Sequence, residues 1–89
     1  MLLEILDIGC GSGIPTIELA KLSSGEIIGI DIDQSVLNQF NIKIEQEGFF
    51  QRIKTYNYSI YSTPFHNGQF DLIWEEGVLL VSFVSPARL

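Results

Sequence analysis

The segment that most constrains this chain is Asp7-Ile8-Gly9-Cys10-Gly11-Ser12-Gly13, set between an apolar run and a proline that opens a helical pattern. Before it, Leu2, Leu3, Ile5, Leu6 and Ile8 form a near-continuous apolar stretch, as in a strand buried on both faces of a parallel sheet. After it, Pro15 suits a first helical turn because its missing N–H would have no intrahelical partner there. Ile17, Leu19, Ala20 and Leu22 then supply an apolar face, with Gly25 as the expected C-terminal cap. The order is strand, glycine turn, helix. Glycines allow a sharp turn and close approach of backbone to a ligand, and N–H groups at a helix start are expected to favour an electron-rich group.

The pattern repeats once. Glu26 to Asp31 reads as a second buried strand ended by acidic residues, Asp33 or Ser35 as the cap of a second helix, and Val36, Leu37, Phe40 and Ile44 as its apolar stripe, stopped by Gly48. A third strand is expected over Ile53 to Tyr58 and a fourth over Phe70 to Trp74, while Val78 to Val84 fits helix or strand equally. Strands alternating with helices imply right-handed crossovers and a parallel sheet, an α/β fold in one domain.

Charge and cysteine content narrow the function. Five basic against eleven acidic residues give a formal charge of -6, which disfavours a nucleic-acid backbone as partner. A single cysteine excludes an internal disulfide framework and a multi-cysteine metal site, and fits a reducing, cytoplasmic setting. No metal site is expected. The longest apolar run, Gly77 to Ala87, is about half of the roughly 20 residues that span a bilayer, so no membrane partner is expected.

Two carboxylates carry the chemistry. A dinucleotide fingerprint needs a third glycine three residues after the second, where this chain has Ile14, with Gly13 one residue early. Asp7, two residues before the first glycine, would repel a pyrophosphate but attract a cationic ligand, such as a zwitterionic amino acid or a sulfonium. Asp31, 18 residues beyond Gly13 at the end of the second strand, is placed to accept two hydrogen bonds from the vicinal hydroxyls of a ribose.

Taken together, the run Leu3 to Lys21, then Gly29-Ile30-Asp31-Ile32-Asp33, then Pro64-Phe65 before Phe70-Asp71-Leu72-Ile73-Trp74, closely resembles class I S-adenosylmethionine-dependent methyltransferases, nearest to the small-molecule "type 11" group. The resemblance covers the chain up to about Gly77. It implies a Rossmann-like three-layer parallel sheet, here partial, with about four of the usual seven strands, and S-adenosylmethionine as cofactor. It further implies that Asp7, Gly9, Cys10 by its backbone, Gly11 and Gly13 cradle the methionine part and that Asp31 holds the ribose. Ile32 would pack on the adenine face, Ser59 and Ile60 would lie at the adenine edge, and Glu75 would sit where cofactor and substrate meet. Ser59 stands where the family usually has an acidic residue.

On this reading residues 1–89 are the N-terminal cofactor-binding part of a larger methyltransferase domain acting on a small molecule, and Val78 to Leu89 do not resemble the family's continuation. The fourth strand is then expected to be an open edge, and the chain to self-associate through it. Two other readings stand beside it, an NAD-dependent oxidoreductase fragment and an inactive remnant of the fold. Among the remaining residues, Cys10 reads as a small residue filling a tight turn, Asp33 as a helix cap, His66 as solvated, and Trp74 as core. No residue is identifiable as catalytic. Glu75 and Glu76, adjacent on a strand, point to opposite faces and cannot form an acid/base pair.

Overall fold

A computed structural model of the chain describes residues 3–11, 13–62, 64–65, 68–75 and 78–81. Its elements are β1 (Glu4–Ile8), α1 (Ile14–Leu22), β2 (Glu26–Ile30), α2 (Gln34–Glu47), β3 (Ile53–Tyr56), a short 3-10 turn (Ile60–Ser62), β4 (Leu72–Glu75) and β5 (Val78–Val81). They form one sheet in the order β3-β2-β1-β4-β5. The four strands β1 to β4 are parallel, the partial Rossmann-like arrangement expected.

β5 departs from that expectation, pairing with β4 in the antiparallel sense from Glu75↔Val78 to Leu72↔Val81. The reason is length. Only residues 76 and 77 separate the paired ends, whereas a parallel return needs a crossover of a dozen or more residues. Consequently β4 is not the open edge expected from the sequence, because β5 takes its outer hydrogen bonds.

Both faces of β1 are used. Ile5 packs with Ile27, Ile53, Ile17, Ala20, Leu37, Phe40 and Ile44 on the side covered by both helices. Leu6 and Ile30 pack on the other side with Phe70, beside Tyr58 and Phe65. The rings there meet edge to face, Tyr58 on Phe65 at 6.1 Å between centroids and Phe65 on Phe70 at 5.0 Å.

Local chemistry accounts for most boundaries. Asp33 caps α2 by accepting the Ser35 and Val36 N–H groups through Oδ1, and Gly48 ends it in the left-handed conformation at φ 79°. α1 ends differently from the expectation. Its C-cap is Ser23 in extended backbone, not a left-handed glycine. The terminal carbonyls are instead taken by Arg52, whose Nη2 donates to Ala20 O at 2.8 Å and Ser23 O at 2.6 Å while its Nε donates to Gly25 O at 3.1 Å. Gly25 is needed for a separate reason, since a Cβ there would lie 2.7 Å from the Leu3 carbonyl oxygen. Leu22, assigned from sequence to the apolar face of α1, is 85% exposed. Five residues of helix turn it away from Ile17, and the buried stripe is Thr16, Ile17 and Ala20.

Candidate functional site

The strand order reverses at β1, which has β2 on one side and β4 on the other. A crevice at such a switch point, beyond the carboxyl ends of the strands, is where open α/β sheets bind ligands. The glycine turn leaves β1 at this place, β2 delivers Asp31 beside it, and Glu75 ends β4 opposite Ile8.

The glycines of the turn serve two different purposes. At Gly13, φ is 85° and an added Cβ would lie 2.0 Å from the ring of Phe40, which is fully buried. Its size requirement therefore comes from helix α2 and not from a ligand. At Gly9, φ is 67° and nothing lies within 4 Å of a Cβ position. Gly9 thus has backbone that favours glycine, facing open space. Cys10 fills the turn as expected, 5% exposed and close against Gly29, where a Cβ would meet its Sγ at 3.1 Å. Burial and the nearby carboxylates of Asp7 and Asp31 push its thiol up to about 12, so it is an inert packing group.

The described N–H groups of the turn from Gly9 to Gly13 are bonded within the chain. Gly9 and Cys10 donate to Ile30 O at 2.9 and 3.1 Å, Gly11 donates to Asp31 Oδ2 at 3.0 Å, and Gly13 donates to Cys10 O at 3.1 Å. The end of β2, with Asp31 just beyond it, lies close enough to take three of these donors, and the fourth bonds within the turn. Ser12 lies outside the described residues.

Asp31 is held from two directions, with Oδ2 accepting from Gly11 and Oδ1 accepting from Asp33 N at 2.8 Å. Each carboxylate oxygen keeps a further lone pair for a hydroxyl. Asn57 adds a support that sequence reasoning missed, donating from Nδ2 to the Asp31 carbonyl at 3.1 Å.

Asp7 is 2% exposed, and Thr16, which is fully buried, donates its hydroxyl to Asp7 Oδ2. Burial pushes Asp7 up to about 6, opposed by the Thr16 hydrogen bond and reinforced by the charge of Asp31. Because the folded value lies above the unfolded 3.8, the native chain binds more protons between these two values. Stability from this group is therefore present at acid pH and lost as pH rises through about 6, a change of about 3 kcal/mol. Urea titrations at pH 4.5 and 7 should show about 2 kcal/mol of it, since part is already lost at pH 4.5, and an Asp7→Asn variant should flatten the difference; an equal difference in the variant would assign it to other groups.

The outer ring of expected residues is more open. Ile32, next to Asp31, is 78% exposed, an apolar side chain left facing solvent at the mouth. Ser59 follows β3 and caps the 3-10 turn, its Oγ accepting from Tyr61 N at 3.2 Å, with Ile60 inside that turn. Glu75 is exposed at the end of β4. His66 and Glu76 lie outside the described residues. Among the described residues no cluster of metal-ligating side chains occurs and no helix is long and apolar enough to cross a membrane. Two surface grooves of about 410 and 340 Å³ run along α2, the first lined by Asn41, Ile44, Glu45 and Phe50. Neither includes Asp7 or Asp31.

Comparison with known proteins identifies the family. Residues 5–88 match the family described as methyltransferase domain. A sterol 24-C-methyltransferase of Gibberella zeae is 28% identical over 72 residues, covering 81% of this chain and 19% of that protein. A ribosomal protein L11 methyltransferase of Mannheimia succiniciproducens is 44% identical over 52 residues, covering 58% and 18%. A solved structure from Methanococcus maripaludis, assigned as an S-adenosyl-L-methionine-dependent methyltransferase, superposes with a TM-score of 0.81 at 26% identity, over 86% of this chain and 35% of that one. The chain thus spans about a fifth of the length of these two curated relatives.

Proposed function

The chain belongs to the methyltransferase domain family, and from that premise we propose that its glycine turn binds S-adenosylmethionine for methyl transfer to a small-molecule acceptor. The observation that carries the reading is the pairing of a buried Asp7 carboxylate with open space at Gly9, one strand away from an Asp31 carboxylate held by two backbone N–H groups. Asp7 suits the cationic end of the cofactor's methionine part, and Asp31 suits its ribose hydroxyls. Ile32 offers an apolar surface for the adenine, and Ser59 and Ile60 follow β3 in the chain. When bound, the cofactor supplies a methyl group on a sulfonium whose leaving group is neutral. The chain's own residues need only hold the reactants in line and keep water out, so no acid or base in the turn is required.

The dinucleotide alternative has less support. Every described N–H of the turn from Gly9 to Gly13 is bonded within the chain, leaving a pyrophosphate the Asp7 carboxylate and few donors. A cytoplasmic location is part of the proposal and rests on the buried, unpaired Cys10.

Calorimetric titration tests the reading. S-adenosylmethionine is expected to bind far more tightly than NAD, and Asp31→Ala to weaken it by roughly 10- to 100-fold through loss of hydrogen bonds to a charged group. Circular dichroism of the variant separates this from loss of fold. Equal affinities for the two ligands, or an unaltered affinity in a folded Asp31→Ala chain, would overturn the assignment.

A further inference from the structure

Thr16 is the residue of this molecule whose chemistry the fold does not explain. It occupies the first turn of α1 at a fully buried position in the stripe shared with Ile17 and Ala20, where an apolar side chain would serve packing as well. Its hydroxyl crosses to β1 and donates to Asp7 Oδ2. Asp7 sits mid-sheet between Gly29 and Trp74, the neighbouring strands' registered residues, neither of which brings a charge. Among the described residues no buried side-chain oxygen is left without a partner, and no described donor takes Asp7 Oδ1, so that second oxygen is not sealed in.

We propose that Thr16 is a positioning residue: by holding Oδ2 it fixes the plane of the Asp7 carboxylate, so that Oδ1 is the oxygen that meets a cationic ligand at the glycine turn. This rests on the cofactor reading above. An ionised carboxylate needs donors to replace the water it loses on burial, and Thr16 provides one without adding charge of its own. The other titratable groups around Asp7 cannot do this. Asp31 and Cys10 both work against a negative charge at Asp7 or are themselves raised by it. On α1, Glu18 and Lys21 face solvent and pair with each other at 3.6 Å, and on β4 the charged Glu75 lies at the exposed end. Thr16 therefore sets the pH range over which the site accepts a cation.

The test is calorimetry of S-adenosylmethionine with the wild-type chain, Thr16→Ser and Thr16→Val across pH 5 to 8. Thr16→Ser, which retains the donor, should bind like wild type. Thr16→Val should bind roughly tenfold more weakly at pH 7, with the midpoint of its pH dependence about one unit higher. Should Thr16→Val fail to fold, Thr16→Ala removes the same hydroxyl without setting a methyl group against the carboxylate. An unchanged midpoint in the hydroxyl-free variant, with wild-type binding intact, overturns the positioning role alone. Absence of binding by the wild-type chain overturns the cofactor reading and this role with it.

Discussion

Gly13→Ala is expected to lower stability by about 3–5 kcal/mol, combining the cost of a left-handed backbone for a residue with a Cβ and the overpacking of a filled core. The added methyl would lie 2.0 to 2.5 Å from three atoms of the Phe40 ring, and Phe40 is fully buried in the core cluster shared by the helices and β1 to β3. For a chain of this length a total stability of roughly 4–13 kcal/mol is ordinary, so the variant should be largely unfolded in moderate urea. Gly9→Ala is the informative partner. It shares the positive φ but meets nothing within 4 Å, so only about 1–2 kcal/mol is at stake. That variant should fold and lose cofactor affinity, because its methyl enters the space left for the ligand. Equal destabilisation by the two substitutions in urea titrations would show that the Phe40 contact is not what requires Gly13.

Arg52→Ala should cost about 3 kcal/mol, since one guanidinium closes three carbonyls at the end of α1 and the loop that follows. Its positive charge also lies at the negative end of the helix dipole and 5.5 Å from the centroid of the Phe49 ring. Lysine should recover only part of the loss, because it cannot place two nitrogens on three acceptors in a fixed fork. Thermal unfolding of the three chains gives the order, and an Arg52→Lys chain as stable as wild type would reduce the contact to simple charge. The expected effect on cofactor affinity is small, as Arg52 lies at the amino end of the sheet, away from the glycine turn.

Several of these features were visible in the amino-acid order, and others had no local signature. Asp33 and Gly48 were readable because capping depends on residues one to three positions away. The glycine turn and the strands around it were readable for a similar reason, through short apolar runs broken at defined spacings. Leu22 was misplaced because α1 is short and its apolar residues fit more than one face; Thr16, four residues before Ala20, completes the buried stripe and is polar. Asp7 gave Thr16 a reason to be there, but that relation spans a strand, a turn and a helix.

The chain's order of residues alone determined the parallel α/β arrangement, the position of the turn and the two carboxylates that flank it, because hydrophobic period, glycine and proline act through the nearest few residues. Only the tertiary structure decided which glycine faces a ring and which faces open space, that the turn's described donors are taken by Ile30, Asp31 and Cys10, that β5 closes the outer side of β4, and that Arg52 reaches back across nearly thirty residues to Ser23. Those facts depend on which surfaces meet once the sheet is assembled, and meetings between distant segments leave no spacing in the chain from which to read them.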